Sequence, residues 1–550
     1  MQSHAEAIAS NAAADRDRAA SVTWWVALAG VVAVLLVPLC VVSMPPLQDY
    51  PNHLARAYVL AFGANDPFLS RMYAPDWHVI PNLAVDAVLP PLLHVLPLPV
   101  ASRFMLGIVL LLPVAGVVAL HQALHRRRSF WPLACCLVAY NAIFMLGFVN
   151  FSIGLGAALL VAALWVSLRR DRPVLATVAL AVGASLVFFC HAAALACLGI
   201  IVAGIETQDL IACWRSGRGL RQTILLLGPE FAGGFAVTAV LFLSSRFAGA
   251  EGPVVYAPLK LKLTELLSPV LVYHPLLDGA AAICILALVG MSLFWRRKAP
   301  EPVIPPGIVL ALAALLVAFV AAPFAAKGGA WLDVRFPIMA GWLLFAGLAP
   351  PPMPRAAVVS VAVAIAALFV IRTASVAQVW HTYGKDVADL QRLLAPIQPG
   401  DRVLIAQVDH VPRRAWWHRV PVGRRLVGFG SADDHIAVLL LTQRGVFTDA
   451  MFANPAQQPL RVLPPYAALM NVQESVLPDY TLLGAARLTG AQQAKFPYLQ
   501  DWRDKFDYVL VMEPTGAPDL EAVLPSSLRP VGKDDIAALF RTRADGEAGR

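Results

Sequence analysis

The chain has 550 residues, 59% of them hydrophobic and 14% charged, with a mean hydropathy of +0.66. Soluble domains carry about 25% charged residues, so a water-soluble globular enzyme is excluded and a polytopic membrane protein is expected. The net charge of +8 sits in Arg clusters between apolar runs, a pattern that membrane topology explains and nucleic-acid binding does not.

The first apolar run, Trp24 to Val42, is long enough to span a bilayer. It is too long for a signal-peptide core, and "LVPL" before Cys40 lacks the small residue of a lipoprotein signal, so an uncleaved first helix is expected. A connection of residues 44–102 follows. It opens with "MPPLQDYPNHLAR" (Met44–Arg56) and holds Asp49, His53, Arg56, Asp66, Arg71, Asp76, His78 and Asp86. Its apolar stretches Leu54–Phe62 and Leu83–Leu96 are too short to span and fit helices lying in the membrane interface.

Further spans are predicted near 103–121, 130–147, 148–168, 174–190, 192–206, 223–243, 279–295, 305–322, 336–349 and 356–373, about eleven in all. Arginine clusters at His125–Arg128, Arg169–Arg172, Arg215–Arg221, Arg296–Lys298 and Pro351–Arg355 fall at alternate connections, with the N-terminal "DRDR" on their side. The positive-inside rule makes that side cytoplasmic, provided that 174–206 crosses twice rather than forming one kinked span. The loop 44–102, the turns at Asn150 and His191, the loops 244–278 and 323–335 and everything after 373 then face outward.

Beyond residue 373 charged residues return. Arg402–Val408, Gly445–Phe452, Tyr508–Glu513 and Ile536–Arg543 read as strands, and Asp386–Ile397 and Pro518–Pro525 as helices. The chain therefore divides into a membrane domain, 1–373, and a soluble α/β domain, 374–550. The seven cysteines all precede residue 285, with no CxxC and no Cys/His ligand spacing, and read as small core residues.

The cytoplasmic connections are short and carry neither a GxxxxGK[ST] phosphate loop nor a Rossmann glycine fingerprint. Chemistry is therefore expected at the outer face, with an activated donor carried in the membrane, for example on a polyprenyl phosphate. Asp49 lies about seven residues past the first span, where a carboxylate stays ionised and can take a proton from an acceptor hydroxyl.

A long first span, an acid just past it, a large first outer loop, about eleven spans and a C-terminal domain on the same side resemble the GT-C superfamily of membrane glycosyltransferases. "LQDYPNHLAR" (Leu47–Arg56) is similar to the Asp-bearing entry to the first loop of several bacterial members. Two departures stand out. The adjacent acidic pair of protein mannosyltransferases is absent, because Tyr50 follows Asp49, and "AWWHR" (Ala415–Arg419) has His418 where a WWD-type oligosaccharyltransferase motif has an acid.

The resemblance implies transfer of a sugar from a polyprenyl-phosphate donor to a lipid, glycan or protein acceptor, with inversion at the sugar C1. It implies Asp49 as the catalytic base or a ligand of a divalent cation. It also implies a bacterial inner-membrane protein with a cytoplasmic N-terminus and a periplasmic C-terminal domain.

Each candidate residue has a plainer alternative. Asp49 could cap a helix starting near Asn52. His53 and Arg56 share a helix face for substrate contact, or Arg56 anchors a headgroup. Asp76 and His78 flank Trp77, a pattern suited to holding sugar and equally to an interfacial loop. His191 could touch substrate or be a hydrogen-bonded core group; Asn150 reads as structural. Lys327 and Arg335 are the candidates for the lipid phosphate, against a simple surface pair of Asp333 with Arg335. Arg246, Lys260, Lys262, His274, Tyr383 and Lys385 are weaker rivals. Ser431–Ala437 ("SADDHIA") reads as a helix start rather than a metal site. A transporter or flippase, a non-catalytic scaffold and an O-antigen-type polymerase stay open. Spans nearly free of charge, with polar groups gathered at one face, favour surface chemistry over a transmembrane path.

Overall fold

The computed structural model describes residues 2–217, 220–295, 302–408, 425–432, 434–471, 476–485, 487–514, 517 and 520–542. The apolar runs become helices because only a helix satisfies every backbone polar group within one segment in lipid. In chain order they are α1 (Gln2–Cys40), α2 (Tyr50–Phe62), α3 (Ala84–Leu93), α4 (Leu98–His125), α5 (Val149–Leu168), α6 (Pro173–Cys190), α7 (Ala192–Arg215), α8 (Leu220–Ser244), α9 (Leu259–Glu265), α10 (Pro275–Trp295), α11 (Pro306–Ala321), α12 (Arg335–Gly347) and α13 (Arg355–Leu393). Among the described residues, seven helices are long and apolar enough to cross a membrane; Glu230–Ser244 and Pro306–Ala321 are shorter apolar helices.

Contacts at the helix ends sort the bundle. Gly154, early in α5, packs against Cys190 and Ala194, while Arg169, just past the other end of α5, bonds Asp209 on α7. The chain thus rises in α6, turns at the extended His191 and descends in α7, as the double crossing of 174–206 requires. His121 and His125 on α4 donate to the last carbonyls of α12, at Ala346 (3.1 Å) and Gly347 (2.9 Å). Arg126–Arg128 and Arg169–Arg172 therefore gather at one end of the bundle, and Asp49, His191 and the start of α12 at the other.

One predicted span has a different form. Residues 130–147 are not a membrane helix but a tight 3-10 stretch, Trp131–Val138, and one helical turn, Ala142–Met145. They run beside α1: Trp24 Nε1 donates to Ser129 O (2.9 Å) at one end, Tyr140 Oη to Leu35 O (2.7 Å) midway, and Gln48 N to Met145 O (3.1 Å) at the other. Irregular backbone survives at membrane depth only where protein surrounds it, and residues 132–147 are all buried. Arg372 on α13 supplies part of that cover. Its guanidinium donates to Leu137 O (2.7 Å) and Val270 O (2.6 Å) and meets Asp278 Oδ1 at 3.2 Å.

The boundary at 373 is not a break. The predicted tail helix Asp386–Ile397 is the continuation of α13, which runs 39 residues without interruption. Beyond it the strands are β2 (Arg402–Gln407), β3 (Phe447–Thr448), β5 (Tyr508–Met512), β6 (Arg529–Lys533) and β7 (Ala537–Arg541). They form one sheet in the order β3-β2-β5-β7-β6, the first three parallel and the last two pairings antiparallel. β6 was not predicted: it is an exposed edge strand, "RPVGK", with no apolar run to announce it. β2 and β5 are central and buried, hence their Val, Ile and Leu.

The loop that follows α1 is sewn to this C-terminal part. β1 (Tyr73–Pro75) pairs antiparallel with β4 (Leu460–Val462), Tyr73 opposite Val462. Asn52, fully buried, accepts from Phe452 N (2.8 Å). The two predicted interfacial helices exist as α2 and α3, yet α2 is buried along its first half beneath chain from the C-terminal part rather than lying on lipid. Replacing Arg372 with Met should cost about 3–5 kcal/mol, because Asp278 is left buried without its cation. Thermal unfolding in detergent would register this, and adding Asp278→Asn should restore part of the loss.

Candidate active site

Backbone bonds fix the position of Asp49. Gln48 N and Asp49 N donate to Met145 O (3.1 Å) and Leu146 O (3.0 Å). Gly147 closes the cradle with φ +78°, and a Cβ there would come within 2.8 Å of Asp49 N, so only glycine fits. Asp49 stands at the position preceding α2 but makes no side-chain capping bond; the capping alternative is not realised. Its carboxylate is 18% exposed, with Oδ1 3.5 Å from Nε2 of the buried His435. Beside it, Gln48 Nε2 donates to Asp434 Oδ2 (2.6 Å).

Arg335, the first residue of α12, is buried within electrostatic reach of Asp49. Its guanidinium lies over the rings of Phe148 (5.2 Å) and Phe151 (5.9 Å), a cation–π platform. Its Nη2 makes one long contact to Ala330 O (3.4 Å), while Nε and Nη1 are buried without a hydrogen-bond partner. The expected surface pair with Asp333 does not form. Asp333, fully buried, is taken by Lys262 Nζ at 2.8 Å and accepts from its neighbour Val334 N. Lys262 also donates to Phe319 O and Ala322 O. His191 caps α7 by accepting from Ala193 N (3.0 Å) and sets its ring edge-on to Phe151 at 5.5 Å.

The structure thus sets Arg335 and His191 against Phe148 and Phe151, brings Asp49 within electrostatic reach of Arg335 and adds His435. It places the other candidates elsewhere. Arg56 is fully buried, so it is no headgroup anchor: it forms a two-pronged bridge to Asp86 (2.6 and 3.1 Å) and donates to His53 Nδ1 (2.9 Å). Burial first, and the Arg56 charge second, hold His53 well below the usual imidazole range, consistent with a neutral ring accepting that bond. The trio bolts α2 to α3.

Asp76 Oδ1 lies 2.8 Å from His78 Nε2, and its Oδ2 accepts from Arg246 Nη1 (3.1 Å). The His78 bond is the main reason that its carboxyl sits below the ordinary range. These three form a partly exposed cluster beside Trp77. Lys327 directs its ammonium to Ala248 O (2.8 Å) and Ala250 O (3.1 Å), closing a loop. Asn150 is structural as read, accepting from Val85 N and donating to Asn82 O. The "AWWHR" segment lies outside the described residues. His435 was legible only as part of a polar cluster, because its partner Asp49 is 386 residues away and no local pattern links them.

Among the described residues, no three His, Cys, Asp or Glu side chains converge as metal ligands. No family model and no curated protein matches the chain. Among solved structures it is similar to the crystal structure of ArnT from Cupriavidus metallidurans bound to undecaprenyl phosphate, at 11% identity and a TM-score of 0.49, over 94% of this chain and 98% of that one.

Behind Asp333 lies Glu265, fully buried. Burial, with the Asp333 charge second, pushes its carboxyl up to about 7. Between the ordinary glutamate value of 4.5 and that raised value the folded protein keeps a proton that the unfolded chain loses, so stability must fall as pH rises through this window. Glu265→Gln should flatten that slope and exceed the wild type by on the order of 1 kcal/mol above pH 7, measured by unfolding at several pH values.

Proposed function

We propose that this protein is a membrane glycosyltransferase that moves a sugar from a polyprenyl-phosphate-linked donor to a lipid, glycan or protein acceptor. The observation that carries the reading is Arg335: a buried guanidinium, two of its nitrogens without partners, beside a partly exposed carboxylate at the bundle end opposite the arginine clusters. An unpartnered buried cation is costly, and a phosphate bound there would relieve that cost with charge-assisted hydrogen bonds.

The chemistry follows from the two groups. The acceptor hydroxyl oxygen attacks the sugar C1 while its proton passes to Asp49. The bond between C1 and the phosphate oxygen breaks, and its electron pair stays with the phosphate. The donor is a phosphodiester with one negative charge, and the product phosphate monoester carries up to two. The added charge develops on the leaving group, where a preorganised cation lowers the barrier most. Phe148 and Phe151 keep the guanidinium in place and the site dry.

By the positive-inside rule the Asp49 end is periplasmic in a bacterial inner membrane, the N-terminus is cytoplasmic, and the C-terminal α/β domain, 374–550, is periplasmic and shapes the acceptor cleft. A transport path is less well supported, because Arg372 and Asp278 satisfy backbone groups rather than facing a channel.

With undecaprenyl-phosphate sugars as donor, Asp49→Asn should lower turnover by about 10²–10⁴-fold. Arg335→Gln should lower it by about 10²–10³-fold and weaken binding of undecaprenyl phosphate itself. Sugar release and lipid binding, followed on matched, folded protein in nanodiscs, test both. Undiminished phosphate binding by Arg335→Gln would overturn the assignment.

A further inference from the structure

Resting on that reading, we infer that His435 is the positioning residue of Asp49: the C-terminal part of the chain completes a base carried by the membrane part. Three contacts bring the segment 434–452 onto the segment 48–52. Gln48 bonds Asp434 (2.6 Å), Asn52 accepts from Phe452 N (2.8 Å), and His435 Nε2 stands 3.5 Å from Asp49 Oδ1. The ring of Phe452 meets the imidazole edge-on at 5.1 Å and fixes its tilt. His435 Nδ1 is buried with no hydrogen-bond partner.

A proton on Nδ1 would be an unpaired buried donor, whereas a proton on Nε2 faces the carboxylate. The buried side therefore selects the Nε2–H tautomer. Burial also pushes the ring down to about 4, so it stays neutral at neutral pH and neither competes as base nor neutralises Asp49. What remains is an N–H dipole 3.5 Å from Oδ1, which orients the carboxylate and favours its ionised form. Among the described residues, the charged groups nearest in these contacts are Asp434 on the same segment and Asp49 before α2, with Arg335 at the start of α12 within electrostatic reach of Asp49.

The test uses the full chain in nanodiscs with two substitutions. His435→Gln keeps an N–H near the position of Nε2; His435→Leu keeps bulk without a donor. Ionisation of Asp49 is followed by carbodiimide labelling against pH with peptide mass spectrometry, which needs no turnover. The acid limb of kcat/KM for an undecaprenyl-phosphate sugar gives the catalytic readout. His435→Leu should raise the Asp49 midpoint by about one pH unit and lower kcat at least tenfold with KM for the donor unchanged. His435→Gln should restore both within about threefold. An unmoved midpoint in His435→Leu, or equal losses in the two variants, would overturn the inference. A labelling shift without turnover in the wild type would keep the Asp49–His435 coupling and remove the glycosyltransferase reading instead.

Discussion

The organisation of the site depends on one pairing that leaves another group unpaired. Lys262 takes the fully buried Asp333 carboxylate at 2.8 Å, so Arg335, two residues along the chain, feels its charge without a close ion pair to it. Had the neighbours Asp333 and Arg335 paired, the guanidinium would be neutralised and α12 would begin in an ordinary ion pair. Instead its guanidinium is held over two aromatic rings, within electrostatic reach of Asp333 and, more weakly, of Asp49. A cation maintained in this way is poised for an anionic ligand, because its desolvation cost is already met by the fold.

Rigidity around that cation comes from a second layer of buried polar contacts. The His53–Arg56–Asp86 trio joins α2 to α3, Tyr50 Oη reaches Ser102 O at the start of α4 (3.1 Å), and Asn52 holds Phe452 N. These contacts tie α2 to α3, to α4 and to the C-terminal part, which fixes its register and the place of Asp49 at its head. The β1–β4 pairing repeats the logic at the backbone level. The first loop and the C-terminal part are thereby one structural unit, and His435 can sit against Asp49 although the membrane bundle separates them in sequence.

The broken segment Trp131–Met145 shows the same economy inside the bundle. A regular helix would keep its carbonyls to itself. The 3-10 stretch leaves Leu137 O to Arg372, and its end leaves Met145 O and Leu146 O to Gln48 N and Asp49 N. Irregular backbone at membrane depth thus becomes the mould for the loop that carries Asp49, with Gly147 as the point where a side chain would intrude.

The sequence by itself determined the class of protein, most helix positions and the central strands, and it singled out Asp49 and Arg335 as residues to examine. These follow from local properties: apolar length, charge placement, β-branched runs and distance from a span. It could not show that 130–147 is irregular, since composition measures hydrophobicity and not helical hydrogen bonding. Nor could it show that α13 continues past 373, because a helix leaving the membrane changes composition without changing backbone. Partner choice among charged residues was decided only by tertiary structure. Arg56 chose Asp86, Lys262 chose Asp333, and Lys327 turned to carbonyls, because burial makes pairing a matter of three-dimensional proximity. His435 belongs to the same class: what it does depends on a contact across 386 residues, which the folded chain alone creates.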